Sequence, residues 1–142
     1  MASYSEFSEL KDIDKDVLTE LMRKLEWLES STDLEGTAIV SKTGLRIASS
    51  ETTDVAADIY SASPATLLSL GEKISKGLEQ GELKEIIIRG QEGYTIIMVG
   101  SEDNNYMLFT NCLKSYKLGY YIEKTRKSFR EMEPILDKIK VE

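Results

Sequence analysis

A chain of 142 residues with a formal net charge of −7, no histidine and a single cysteine is the size of one domain, able to bury about two thirds of its unfolded surface. Its 41% hydrophobic and 30% charged content, with nine Gly and two Pro, fits neither a disordered nor a fibrous class, and its acidity argues against nucleic acid or an anionic membrane as the main partner. No apolar run approaches the roughly 18 residues of a membrane span, and the opening MASYSEFSELKDID lacks the basic and apolar regions of a secretory signal, so a cytoplasmic location without membrane insertion is expected.

Residues 1–15 form an N-terminal extension in which Tyr4, Phe7, Leu10 and Ile13 recur every three positions, a pattern that suggests a short helix. The first clear helix spans residues 16–30, where Leu18, Leu21, Leu25 and Leu28 lie at helical spacing and Asp14 or Asp16 is the candidate N-cap. Trp27 sits beside that leucine stripe and is read as capping the core. The run GTAIVSKTGLRIASS then places two β-rich stretches on either side of Lys42, Thr43 and Gly44, which reads as a hairpin. A polar loop follows at residues 49–54.

The second helix has Ser63 and Pro64 as N-cap and first position, or starts one turn earlier near Asp58. It is expected to reach Glu79 or Gln80, with Gly81 as the left-handed stop. After it come LKEIIIR, the turn GQEG, YTIIMVG, the turn SEDNN and YMLFTNC, a three-stranded meander. Leu118, Ile122, Thr125, Phe129 and Met132 restore a helical period, and Pro134 should kink or end that helix at Glu133. Residues 134–142 make a turn or tail.

The element order α-β-β-α-β-β-β-α points to an α/β (α+β) domain, three layers deep, built on a five-stranded antiparallel meander. Ile86, Ile87 and Ile88 are consecutive, as are Ile96, Ile97, Met98 and Val99, so both faces of the sheet need cover. A strand order of 2-1-5-4-3 would leave LKEIIIR at the margin, hydrophobic and without proline, an edge that tends to pair.

On the second helix Leu67, Leu70, Ile74 and Leu78 cluster within about 80° and are assigned to the sheet. Leu68, Gly71 and Ser75 lie about 100° round, with Ala65 beyond them. Glycine inside a helix costs roughly 1 kcal/mol relative to Ala unless packing compensates. This small-residue flank is therefore expected to meet another backbone, either the 49–54 loop or a second copy across a twofold axis.

Catalytic chemistry finds little to stand on. Without histidine, Ser-His, Cys-His and histidine-zinc arrangements are excluded. Cys112 reads as a core thiol. Asp12, Asp14 and Asp16 alternate as in a calcium loop, but Val17 stands where glycine is required and Arg23 where the bidentate glutamate belongs. GQEG joins two strands and lacks the Lys-Ser or Lys-Thr of a phosphate loop. Lys114, Lys117, Lys124, Arg126, Lys127 and Arg130 read as a solvated basic face. No cofactor, metal site or catalytic residue is assigned.

Taken together and in order, EGTAIVSKTGLRIASS, PATLLSLGEKISKGL, LKEIIIRGQEGYTIIMV and KLGYYIEKTRKSFREM resemble the Roadblock family of small dimeric proteins, which includes a dynein light chain, over residues 16–133. The similarity is greatest to stand-alone prokaryotic members, regulators of Ras-like GTPases. The resemblance implies a non-enzymatic homodimer with third strands and middle helices at the twofold axis, its interface involving Leu68, Gly71, Ser75, Lys84, Ile86 and Ile88. It also implies a surface for a small Ras-like GTPase at Ala65, Leu68, Ser69, Glu72, Ser75, Lys76 and Glu79, with no arginine finger donated. The alternative it carries is a scaffold, homodimeric or paired with other Roadblock-like chains, that never touches a GTPase.

Overall fold

The computed structural model describes residues 8–10, 12–32, 34–50, 59, 62–113 and 117–139. Tyr4, Phe7, Asp58, Lys114 and most of the 49–54 loop lie outside them. Three helices, α1 (Lys15–Thr32), α2 (Ala62–Gly77) and α3 (Leu118–Leu136), accompany five strands, β1 (Gly36–Ser41), β2 (Arg46–Ser49), β3 (Glu85–Arg89), β4 (Gly93–Val99) and β5 (Tyr106–Leu113). The strands form one sheet in the order β2-β1-β5-β4-β3, every neighbouring pair antiparallel. This is the element order and strand order that the sequence implies.

α1 starts where a carboxylate satisfies its free amides: Asp14 Oδ1 accepts from the N–H of Asp16 at 2.8 Å and of Val17 at 3.4 Å. Ahead of it, residues 8–10 and 12–14 form no helix, contrary to the three-residue periodicity. Leu10 and Ile13 are spaced instead to pack on the core from an irregular strand of chain. The β1–β2 hairpin closes as its residues dictate. Gly44 takes φ 101°, and Ser41 donates its N–H to the Leu45 carbonyl at 2.7 Å.

Two cores lie on opposite faces of the sheet. On one, Leu18, Leu21, Leu25 and Leu28 of α1 and Phe129, Met132 and Leu136 of α3 meet Ile39, Ile96, Met98 and Leu108. On the other, Ala38, Val40, Ile97, Val99, Met107 and Phe109 are covered by α2, from which Leu68 is buried and Leu67 partly so. Alternate residues of β4 and β5 thus serve opposite layers, which is why both strands read as unbroken apolar runs. Thr110, on the same face as Leu108 and Ile96, donates its hydroxyl to the Ile96 carbonyl at 3.1 Å.

Two helix ends differ from expectation. α3 runs through Pro134 to Leu136, with Asp137 N–H reaching the Glu133 carbonyl at 2.9 Å. A proline this close to the end forfeits one hydrogen bond, and only two helical residues follow it. α2 stops at Gly77, and the left-handed residue that ends it is Glu79 at φ 56°, not Gly81, which adopts φ 90° two residues on. Gln80 N–H bonds the Ser75 carbonyl at 2.8 Å and Glu79 N–H the Lys76 carbonyl at 3.1 Å, the paired bonds of a Schellman stop.

A side chain at Glu79 therefore bears a steric penalty of roughly 1 kcal/mol that glycine would not. Glu79→Gly is expected to raise the unfolding free energy by about 0.5 kcal/mol once the added freedom of the unfolded chain is set against that relief. Urea unfolding of the two proteins, with unchanged denaturant slope, checks it.

Candidate self-association and partner surface

α2 is amphipathic in the sense opposite to that assigned from its periodicity. Pro64, Leu68 and Ser75 are its buried residues, whereas Leu70, Ile74 and Leu78 are 54%, 61% and 65% exposed. The small flank faces the sheet and the leucine stripe faces out. Gly71 explains how: a Cβ there would lie 2.8 Å from Leu83 Cδ2 and 3.7 Å from Ile86 Cδ1, so the helix settles close on β3 and the bulk comes from the sheet side. Ser75 fixes this seating, its hydroxyl donating to the Gly81 carbonyl at 2.7 Å.

Of the residues assigned to a dimer interface, Leu68, Gly71 and Ser75 are thus engaged with their own chain. Ile86 is half-buried beneath α2, Lys84 is exposed beside Glu82, and Ile88 is 42% exposed. The β3–β4 register sets Ile86 opposite Ile97 and Ile88 opposite Thr95, which puts both isoleucines on the α2 side. Ile87, opposite Ile96 and 42% exposed, points to the α1–α3 side. There Arg126 brackets the strand end, reaching Glu85 at 3.2 Å and Glu123 at 2.7 Å. β3 is the last strand of the sheet, and every second residue of such a strand turns its N–H and C=O outward.

The residues assigned to a partner divide in the same way. Ser69, Lys76 and Glu79 are exposed, Ala65 and Glu72 half-buried, and Leu68 and Ser75 buried. Glu72 and Lys76 form an i,i+4 ion pair at 3.6 Å and border a cleft of about 350 Å³ that mixes Lys42, Glu82, Glu102 and Asn105 with Leu83 and Val99. Lys42 Nζ closes its floor by donating to the carbonyls of Gly100 and Ser101 at 2.9 and 3.1 Å. This polar flank lies roughly 120–160° round the helix from Leu70 and Ile74. α2 therefore offers two separate exposed flanks, one apolar and one charged.

On the opposite face of the sheet, Trp27 is 52% exposed rather than folded onto the core. Lys124 Nζ stands 5.5 Å from its ring centroid, and the indole borders a groove with Glu20, Arg23, Lys24, Glu131 and Ile135. Cys112 is buried. Burial pushes its thiol above the ordinary range and the Glu35 charge adds to this, against a backbone hydrogen bond at Tyr94. Among the described residues no group of three or more His, Cys, Asp or Glu is placed to hold a metal, and no helix is long and apolar enough to cross a membrane.

A sheet with helices on both faces, one edge that no described residue pairs and an apolar helix flank beside it defines a protein of the small α/β/α class whose exposed features suit binding. A sequence profile of the Roadblock/LC7 domain matches residues 14–109, and the chain belongs to that family. No curated protein matches it by sequence. Among solved structures it resembles Myxococcus xanthus MglB, with a TM-score of 0.75 and 15% identity over 85% of this chain and 98% of that one. A Roadblock/LC7 domain from Streptomyces avermitilis aligns with TM-score 0.73 and 13% identity over 82% and 98%. An MglB in a tetrameric arrangement aligns with TM-score 0.79 and 13% identity over 89% and 94%.

The reversed helix is directly checkable. Leu68→Ala should lower protomer stability by about 2–4 kcal/mol, while Ile74→Ala should change it by less than about 1 kcal/mol when unfolding is followed at low protein concentration. For the thiol, depleted thiolate and burial together predict that Cys112 resists alkylation at pH 7–8 in the native protein and reacts fully in denaturant. Labelling followed by mass spectrometry reads both states.

Proposed function

We propose that this chain works as a non-enzymatic dimeric adaptor that binds and regulates a small Ras-like GTPase. Two copies pair along β3, joining two five-stranded sheets into one of ten strands, and the exposed stripe of α2 packs against its mate on the same side. The observation that carries this reading is the coincidence of Leu70, Ile74 and Leu78, each more than half exposed, with the bare β3 edge and Ile88 on the same face. Membership in the Roadblock/LC7 family and the tetrameric arrangement of one MglB neighbour support self-association.

Magnitudes say that both features are needed. Burying the exposed halves of six such side chains contributes on the order of 6 kcal/mol, against an association cost of about 4–15 kcal/mol. The stripe alone leaves a weak pair. Backbone hydrogen bonds along two β3 strands, with Ile88 buried between them, supply the remainder and fix the antiparallel register.

In this arrangement the charged flank of Ala65, Ser69, Glu72, Lys76 and Glu79 stays clear of the twofold axis and faces the partner. The chain has no histidine and contributes no catalytic group, so it acts by stabilising one conformation of the GTPase's nucleotide-binding loops. A scaffold that organises other chains is the second reading, and exposed Trp27 with its groove favours it by offering a site on the opposite face of the sheet.

Ile74→Asp and Ile88→Lys should each leave the far-ultraviolet spectrum unchanged and reduce the mass in light scattering from two chains to one. Parent mass retained by both variants would remove the proposed interface. Calorimetric titration against the Ras-like GTPases of the source organism, loaded with GDP or a non-hydrolysable GTP analogue, should give binding to one nucleotide state and a changed rate of hydrolysis or release. Absence of binding to any of them, with other proteins co-purifying on Trp27, assigns the chain to the scaffold class.

A further inference from the structure

The two margins of the sheet are treated differently. β3 is open along five residues that include three isoleucines. β2, the other terminal strand, has only four residues, and its register against β1 slips between Ile39 and Val40, a bulge that twists an edge away from regular pairing. It is also occupied. Glu9 donates its backbone N–H to the Arg46 carbonyl at 2.7 Å, and its carboxylate Oε1 accepts the Arg46 N–H at 2.9 Å. One residue thereby satisfies both outward backbone groups of Arg46, its side chain replacing the carbonyl of a pairing strand.

The clamp is held from both sides. Ser8 is buried, its hydroxyl accepts the Leu10 N–H at 3.1 Å, and Leu10 and Ile13 pack on the core under α1. Among the described residues, the β2 margin is covered and the β3 margin, beside α2, is not.

We infer that residues 8–10 are an edge guard, and that β2 freed of them is a second strand-pairing surface whose occupant is another copy of this chain. The occupant follows from symmetry. A chain with one open edge closes when that edge pairs with its own copy about a twofold axis, whereas a chain with two open edges can pair β3 with β3 and then β2 with the β2 of a further copy, a series of contacts that need not close. The freed β2 edge of another copy is a matching strand present at the chain's own concentration, whether or not the β3 edges are already paired. Glu9 therefore sets the upper limit of assembly, while α2 and β3 set the lower one.

The test removes the guard and retains the anchor. Deleting residues 1–9 keeps Leu10 and Ile13; the deleted protein is expected to show a mass that rises with concentration above that of the full chain and returns on dilution. A folded deletion variant with the parent's mass at every concentration overturns the inference. Should the deletion fail to fold, Glu9→Pro in the full chain removes both the N–H and the carboxylate. It is expected to speed exchange of the Arg46 amide at least tenfold and to raise the mass in the same way, and unchanged mass overturns the inference equally. The inference rests on the β3 pairing reading only for the size of the starting unit. In an Ile88→Lys background the deletion should still add copies to a single chain. A full chain that is already single, with growth on deletion, sinks the α2–β3 dimer and leaves the guard standing.

Discussion

The constraint that organises this molecule is the outer edge of β3, a strand bonded on one side only and carrying three adjacent isoleucines. Its position follows from chain order: β1 pairs with β5, so the meander that begins at β3 is laid down outward from the centre, and the strand made first in it ends at the margin. Glu85 and Ile87 look toward α3 and Ile86 and Ile88 toward α2, yet Ile87 and Ile88, one on each face, are both 42% exposed. Alternating apolar and polar side chains would have made a safe edge. A run of isoleucine at such a margin is the feature that the proposed pairing of two copies would cover.

α2 supplies that cover incompletely, and the reason lies in its small residues. Gly71 and Ser75 let the helix sit low over Leu83 and Ile86, which fixes Leu68 inward and rotates Leu70 and Ile74 to the outside. A helix bearing a large residue at position 71 would stand higher, and its leucine stripe could then turn toward the sheet. The apolar flank is thus a consequence of close seating. It also bears on stability: the α1–α3 face buries eleven or more large side chains of those helices and strands, so the protomer depends mainly on that core and can leave α2 partly uncovered.

Much of this is legible in the chain itself, and the exceptions share a cause. Asp14 as N-cap, Gly44 in the hairpin, the order of strands and the marginal place of β3 are local or topological facts, and local chemistry is enough to read them. The facing of α2 is not of that kind. Periodicity finds the most apolar stripe of a helix, but a stripe buried against the same chain and one kept for another chain look alike. The informative signal was Gly71 with Ser75 on one flank, which does mark close backbone approach; here the approaching backbone is β3 of the same protomer. The stop at Glu79 is not legible because a left-handed glutamate has no sequence signature, and Gly81 nearby is the commoner residue for that conformation. Pro134 reads as a stop because a lost hydrogen bond is costly in mid-helix, whereas here it falls two residues before the end. The Glu9 clamp joins residues 37 positions apart through a side-chain acceptor, which no pattern of spacing reports.

Separation of flanks has a consequence for how self-association and partner binding relate. If the apolar flank of α2 and the β3 edge are consumed in the pair, the charged flank of Glu72 and Lys76 and its cleft remain available, since they lie on the far side of the helix axis. A partner seated there does not compete with the second copy, and it meets two α2 helices held at a fixed angle by one continuous sheet. That rigidity is what an adaptor needs in order to bias a mobile partner: the ordering of the binding surface is completed when the protomers fold and pair, so little further conformational entropy is lost when the partner arrives. The same logic explains why the chain can lack every acid-base catalyst centred on histidine. On the proposed reading its contribution is a preformed surface, and pairing at the sheet edge is what would complete it.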